Sequence, residues 1–382
     1  MGKPSPAATA QAELWMGAHP HGTSKVLWEG RWETLSSLIE KDPAGILGKS
    51  TAARFSDRLP FLFKILAASK PLSIQAHPNQ RQAEEGYERE NKAGIPLSAP
   101  GRNYRDPSHK PEILCALTPF WALKGLRTVD EIRSYLLRMG FSAADFPHLR
   151  GEGETALRKI FTALFTMNRR QQKSLVSTLA SAASVHAGSD PVFQWMAKLH
   201  EAFPCDPGVL GPLLLNLIRL QPGEALSVAQ GELHAYLDGA GVEVMANSDN
   251  VLRGGLTEKH LDPHELLSVL DFSPRNREIL RPRRQGRVEW IYPKGAEEFL
   301  LSRITLEPGT RYQSPLKRSV EIMICVEGEA KVSDTRTRKT LLLSCGASAL
   351  VSASVGGYRI TGACTLYRAS VPLEKSSGSY GT

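Results

Sequence analysis

Along this 382-residue chain the spacing of apolar residues changes character three times. Up to about residue 126, short apolar runs alternate with Pro and Gly, and Leu35, Leu38 and Ile39 predict a helix over residues 32–41 that Pro43 stops. Between residues 127 and 203 spacings of three and four take over. Thr128-Val129-Asp130-Glu131 is a capping box, with Thr128 able to accept from the backbone three residues on and Glu131 able to reach back; Val129, Ile132, Leu136 and Met139 then form one apolar stripe. Further stripes run through Leu157, Ile160, Phe161, Leu164 and Phe165, and through Phe193, Met196 and Leu199. From Asp206 the period becomes two. His234-Ala235-Tyr236-Leu237, Asp238-Gly239-Ala240-Gly241 and Val242-Glu243-Val244-Met245 predict a hairpin in which His234 and Tyr236 share a face. Beyond the basic run 281–287, taken as a linker, short strands including residues 298–306, 320–326 and 346–351 predict a second all-β domain.

The same alternation sorts Leu72-Ser73-Ile74-Gln75-Ala76-His77-Pro78 onto two faces. Leu72, Ile74 and Ala76 point toward a core, whereas Ser73, Gln75 and His77 offer a hydroxyl, an amide and an imidazole to one small ligand or ion. Glu112 opens the apolar run Ile113-Leu114-Cys115-Ala116-Leu117, and His234 follows Gly231 by three, the G-x-x-H spacing of metal-binding cupin barrels. Gln75, His77, Glu112 and His234 together make a mixed N/O set that suits zinc with an open position, and equally Mn²⁺, Fe²⁺ or Co²⁺.

Composition narrows the class of protein. With 41% hydrophobic and 23% charged residues the chain is ordinary for a folded soluble protein, and no apolar run reaches the length of a bilayer span. The net charge of +8 has its densest basic run at residues 281–287, which lacks interleaved aromatics, so neither nucleic acid nor membrane is an expected partner. Residues 1–11 read as a disordered tail without a secretory h-region. The five cysteines are widely spaced, which fits a reducing, cytoplasmic compartment.

Several longer motifs occur in order: Glu13-Leu14-Trp15-Met16-Gly17-Ala18-His19-Pro20, Pro60-Phe61-Leu62-Phe63-Lys64, the Leu72–Pro78 segment, His109-Lys110-Pro111-Glu112, and Ser248-Asp249-Asn250-Val251-Leu252-Arg253-Gly254-Gly255-Leu256-Thr257. In them the chain resembles the type I mannose-6-phosphate isomerase family from residue 12 to at least residue 262. That resemblance implies a mainly β protein with an α insertion: a discontinuous catalytic cupin (jelly-roll) barrel over residues 1–126 and 204–280, a helical domain over 127–203, and a metal-free β-barrel over 288–382 that supports packing. It further implies one Zn²⁺ per chain held by Gln75, His77, Glu112 and His234. Arg253, Lys110, Glu243, Tyr236 and Asp249 would be catalytic, and Ser73, Lys64 and Trp15 would bind substrate.

The implied reaction interconverts mannose 6-phosphate and fructose 6-phosphate through a cis-enediol, in a monomer whose partner is a small sugar phosphate. Such a reaction needs a base beside the carbon and positive charge on the two oxygens. For the base the residues offer Glu243, Lys110 or a metal-bound water. The chain departs from the family pattern in the short segment ahead of Glu13, which leaves a sheet edge open to exposure, in Leu233 where Pro is common, and in Gly254-Gly255 in place of Ala-Gly. A second class of function, a non-catalytic sugar-phosphate-binding cupin, would follow if those departures impaired the site.

Overall fold

One bent strand organises the first of two large sheets. In the computed structural model, which describes residues 12–142 and 144–373, residues His234–Ala246 form a single 13-residue strand. The hairpin expected there is absent. Its four turn-forming residues lie inside the strand, where the register shifts between Tyr236 and Asp238 and Gly239 takes φ +120°. The strand therefore bends and changes neighbours rather than reversing. Residues before the bend pair with Ile74–Ala76 and Phe120–Leu126; those after it pair with Phe61–Ala68 and Glu112–Ala116. Glu13–Met16, Leu215–Leu220, Ala225–Val228 and Leu252–Gly255 complete a mixed path of nine antiparallel strands. Glu13–Met16 pairs with Phe61–Ala68 alone, so it is an edge strand among the described residues. The tail expected over residues 1–11 lies outside the described residues.

The helical stretch forms as its spacing predicts. Thr128 caps Val129–Arg138 with both halves of its capping box in place, and Gly153–Thr166, Arg169–Val185 and Pro191–Ala202 follow. Their apolar stripes, including Leu157, Phe161, Phe193, Met196 and Leu199, join Ile74, Ala76, Leu233 and Leu252 in one core. The outer face of the Gln75 strand is thus covered by helices. Leu72 does not share that face. It precedes the strand, donates its backbone N–H to the Tyr236 carbonyl at 2.8 Å and packs with the Phe120 and Tyr236 cluster.

Two local expectations near the start fail for identifiable reasons. Residues 32–34 belong to the strand Arg31–Thr34, paired with Lys25–Trp28 through a turn in which Glu29 and Gly30 both have positive φ (48° and 82°). The helix starts only at Leu35, capped by Thr34, and Pro43 begins the next helix instead of merely stopping this one. Proline is tolerated there because a first-turn amide has no partner inside its own helix.

The last third forms a second sheet of nine strands around Glu321–Asp334, which also pairs with four neighbours. The basic run is not wholly a linker: Arg283–Arg284 is a short edge strand against Glu289–Ile291. Phe61, Phe63, Ile113 and Val244 of the first sheet share a core with Phe299, Ile322, Ile324 and Tyr367 of the second. A buried thiol, Cys115, donates to Tyr292 Oη at 2.9 Å across that junction. No helix among the described residues is long and apolar enough to cross a membrane.

Gly239 is the position on which the bend depends. A Cβ there would lie 2.7 Å from the Pro119 carbonyl oxygen, and φ +120° is a conformation that side-chain-bearing residues rarely adopt. Gly239→Ala is expected to destabilise the protein by about 1–3 kcal/mol, read as a lower thermal midpoint. An unchanged midpoint would mean that the bend does not need glycine.

Candidate metal centre and active-site cleft

Cross-strand pairing converts four separate segments into one surface. Residues directly opposite in a ladder project to the same face, so Lys124, His234, Gln75 and Arg253 form one row across four strands. Beyond the bend, Trp15, Lys64 and Glu243 form a second row, and Glu112 stands opposite Met245, two residues from Glu243 on the same face. His77 follows the end of its strand. Its carbonyl accepts the backbone N–H of Gly231 at 2.8 Å, and Gly231 has φ +72° with a would-be Cβ 2.7 Å from the Val269 carbonyl. That close approach gives the glycine of the G-x-x-H spacing a role: it lets residue 231 pack against the Val269–Asp271 backbone while its N–H holds the His77 carbonyl.

His77, Glu112 and His234 are fully or nearly fully buried and present their ligand-type atoms within 4.8 Å of one another. His77 Nε2 lies 3.3 Å from Glu112 Oε1, His234 Nε2 lies 3.4 Å from Glu112 Oε2, and the Gln75 amide lies 3.3 Å from His234 Nε2. Those separations match the roughly 3.3 Å edge of a tetrahedron with zinc–ligand bonds of about 2.0–2.1 Å. Both tautomers are set from behind. His77 Nδ1–H donates to the Asn250 carbonyl at 2.8 Å and His234 Nδ1–H to the Glu232 carbonyl at 3.1 Å, leaving both Nε2 lone pairs to face inward. His77 Nε2 and Glu112 Oε2 are buried with no hydrogen-bond partner. A buried pair of unsatisfied acceptors is costly unless a cation joins them, so these residues fit a metal. Rotating the Gln75 amide by half a turn adds its oxygen to the set.

Electrostatics agree with that donor set. Burial pushes the His77 imidazole down to about 4, with Lys110 and His234 adding to the effect against the opposing pull of Glu112, so the ring is neutral near pH 7. Burial opposes the charge on Glu112; Lys110 Nζ at 3.2 Å is the leading opposing influence, and the carboxyl is held well below its ordinary range. Glu243 is raised by burial although Lys64 Nζ is 3.0 Å away. Tyr236 is buried, and burial followed by the nearby carboxylates Glu243 and Glu112 raises its phenol well above the usual range.

A cavity of about 560 Å³ opens beside this group, lined in part by Lys110, Asp249, Arg253, Arg105, Lys259 and His260. Lys110 links it to the buried cluster through Glu112. Burial and then the neighbouring Arg105 lower the Arg253 guanidinium, although it remains a cation at any ordinary pH. Asp249 faces His19 Nε2 at 3.4 Å and His21 Nδ1 at 3.0 Å. Five sequence-selected residues, Glu243, Tyr236, Lys64, Trp15 and Ser73, stand apart from the cavity wall. Lys64 is turned into its pair with Glu243 and lies 5.5 Å from the Trp15 ring, while Ser73 sits just before the Gln75 strand.

Several working residues escaped the sequence reading. Asn250 donates to the Asp106 and Ser108 carbonyls at 2.7 and 2.9 Å and accepts from Arg105 N–H at 2.8 Å, while Ser248 Oγ–H donates to Asp106 at 2.8 Å. Ser248-Asp249-Asn250 therefore clamps the loop that delivers Lys110 and at the same time orients His77. Lys124 and Glu232, a buried pair at 3.0 Å, flank His234. A lysine inside the otherwise apolar run 120–126 was the available signal for that pair.

Residues 1–129 match the model for the phosphomannose isomerase type I catalytic domain. Mannose-6-phosphate isomerase of Escherichia coli is 39% identical over 365 residues, covering 94% of this chain and 91% of that protein, and the Homo sapiens enzyme is 33% identical over 368 residues, covering 90% and 84%. A crystal structure of phosphomannose isomerase from Salmonella typhimurium, carrying a single alanine substitution, superposes with TM-score 0.90 at 37% identity, covering 97% of this chain and 94% of that one. A zinc-bound holo structure of mannose 6-phosphate isomerase gives 0.86 at 38% identity, covering 95% and 91%. Identity at this level over nearly the whole length places this chain in the type I mannose-6-phosphate isomerase family.

Proposed function

We propose that this protein is a zinc-dependent aldose–ketose isomerase that interconverts mannose 6-phosphate and fructose 6-phosphate. The observation that carries the reading is the buried His77–Glu112–His234 group, joined by Lys110 to a cavity whose wall also holds Arg253 and Asp249. The zinc-bound relative supports zinc as the ion. Gln75, His77, Glu112 and His234 would hold it, and its chemistry there is Lewis-acid polarisation of the substrate oxygens.

The chain's own groups supply the remainder. Arg253 and Lys110 bring positive charge to the oxygens on which negative charge develops as the cis-enediol forms. Lys110 as donor and Asp249 as acceptor stand on one wall, and each is within the other's electrostatic reach, so together they provide both directions of proton transfer. Glu243 does not reach that wall; paired with Lys64, it and Tyr236 form the polar backing behind Glu112. Arg105 and Lys259 add positive charge to the cavity wall, which suits a phosphorylated substrate.

The finer architecture belongs to the same proposal. The two nine-stranded sheets, each built on one long strand with four partners, support two cupin-like jelly-roll barrels over residues 1–126 with 204–280 and over 288–382, separated by a helical insertion at 127–203. A cytoplasmic monomer acting on a free sugar phosphate is consistent with five unpaired cysteines.

In a coupled isomerase assay with metal analysis, the purified protein is expected to carry about one zinc per chain and to be active. His77→Ala is expected to lose both metal and activity, because it removes a ligand and leaves Glu112 uncompensated. Arg253→Ala is expected to keep zinc and lose about 10²–10³-fold in kcat/KM. A zinc-replete, folded wild type without activity would leave the non-catalytic binding reading in its place.

His77 also predicts a pH dependence. Its folded value of about 4 lies below the 6.5 of a free imidazole, so between those values the unfolded chain binds the extra proton. The stability this group contributes is complete above pH 6.5 and is lost as pH falls toward 4. Metal-free protein is expected to show a falling thermal midpoint across that window, and the zinc form to release metal across it. A flat midpoint between pH 6.5 and 4 would contradict a neutral, buried His77.

A further inference from the structure

Beside the buried group, the described residues bring together a second set of two imidazoles and a carboxylate: His19, His21 and Asp249. Its composition resembles another cation site, but its hydrogen bonds point elsewhere. The hairpin Ala18–His19 with Gly22–Thr23 folds the His21 backbone N–H onto His19 Nδ1 at 3.2 Å. That nitrogen is therefore an acceptor and the ring proton sits on Nε2, the atom 3.4 Å from Asp249 Oδ1. His77 and His234 carry the opposite tautomer, with Nδ1–H bonded to carbonyls and Nε2 lone pairs free. His19 is thus arranged as a donor to a carboxylate, and the other two histidines as ligands.

The setting makes the contact selective. His19 is 2% exposed and its ring packs edge-on against Trp15 at 5.1 Å, whereas Asp249 reaches the cavity wall beside Lys110 and Arg253. The other Asp249 oxygen faces His21 Nδ1 at 3.0 Å, and the Asp249 backbone N–H donates to Asp106 Oδ2 at 2.7 Å. Each oxygen of that carboxylate thus meets one imidazole nitrogen, and the same side chain lines the cavity.

We propose that His19 is a positioning residue for Asp249: its Nε2–H holds the carboxylate ionised and aimed into the cavity, where Asp249 accepts from a substrate hydroxyl. The inference rests on the isomerase reading above and extends it to a residue that touches neither metal nor substrate. Because His19 acts through Asp249, its removal matters only while the carboxylate is present.

The test is a double-mutant cycle on the zinc holoenzyme, following kcat/KM, zinc content and thermal midpoint. His19→Ala is expected to lose ~10–100-fold in kcat/KM with zinc unchanged, and His19→Gln to recover most of it, because its amide N–H can reach the same oxygen. Combining His19→Ala with Asp249→Asn is expected to be no worse than Asp249→Asn alone, within about 2-fold. Multiplicative losses in the double variant, a His19→Gln as impaired as His19→Ala, or loss of zinc from either would overturn the proposal. An inactive zinc-loaded wild type would overturn the isomerase reading and this inference together, whereas the other failures leave that reading standing.

Discussion

The site depends on keeping one carboxylate, Glu112, ionised where water does not reach. Desolvating a carboxylate costs several kcal/mol even after the protein relaxes, and only close positive charge or strong donors offset it. Lys110 is 3.2 Å away and two imidazoles complete the surround. Each imidazole commits its Nδ1–H to a backbone carbonyl and turns its Nε2 lone pair toward the carboxylate, so the two rings do not serve both oxygens as donors. An arrangement that leaves acceptors facing acceptors is stable only around a cation. Much of the surrounding structure serves that requirement: Asn250 and Glu232 set the tautomers, Gly231 permits the close approach of two segments, and helices seal the outer face of the Gln75 strand.

Bringing those groups together requires one strand to belong to two parts of the sheet. His234 and Tyr236 lie before the bend, Glu243 and Met245 after it, and Glu112 is reached only through the second part. The bend also decides which side chains line the cavity. Lys110, Asp249 and Arg253 come from loops and an edge strand around the cavity, while Glu243 and Lys64, fixed on central strands, face each other instead. Rigid strands carry the buried donor set, and connections that can adapt carry the groups on the cavity wall.

How legible this was depended on the range of the interaction. Period-two alternation placed Gln75 apart from Ile74 and Ala76, and the Thr128 capping box located its helix to the residue, because both are local properties of backbone geometry. The bend was misread as a hairpin because Asp238-Gly239-Ala240-Gly241 has turn composition; what prevents reversal is pairing with four strands distant in sequence. Trp32 was assigned to a helix because its apolar spacing fits one, and the competing signal, Glu29-Gly30 at a tight turn, is only two residues long. Within the site, residue identity picked out His77, Glu112 and His234, which the fold brings within reach of one ion. The supporting shell of Asn250, Glu232 and Lys124 acts through backbone carbonyls and buried pairs, which no spacing rule records.

The second sheet sharpens what distinguishes a binding site from a polar core. It repeats the plan of one long strand with four partners, and it too buries charge. Glu321 and Glu289 lie against Arg368, whose guanidinium also donates to Tyr312 Oη at 2.6 Å and Tyr358 Oη at 3.1 Å, and Arg318 approaches Glu321 at 3.5 Å. Each carboxylate there meets a fixed guanidinium, so the positive charge is built into the chain. In the first sheet the buried carboxylates Glu112, Glu243 and Glu232 meet lysines instead, Lys110, Lys64 and Lys124, and Glu112 alone also faces two imidazole Nε2 atoms, with His77 Nε2 and Glu112 Oε2 left without a hydrogen-bond partner. The two halves thus bury charge with different partners: guanidinium N–H donors around Glu321 and Glu289, and two inward-facing imidazole lone pairs beside Glu112, the combination that suits a bound metal.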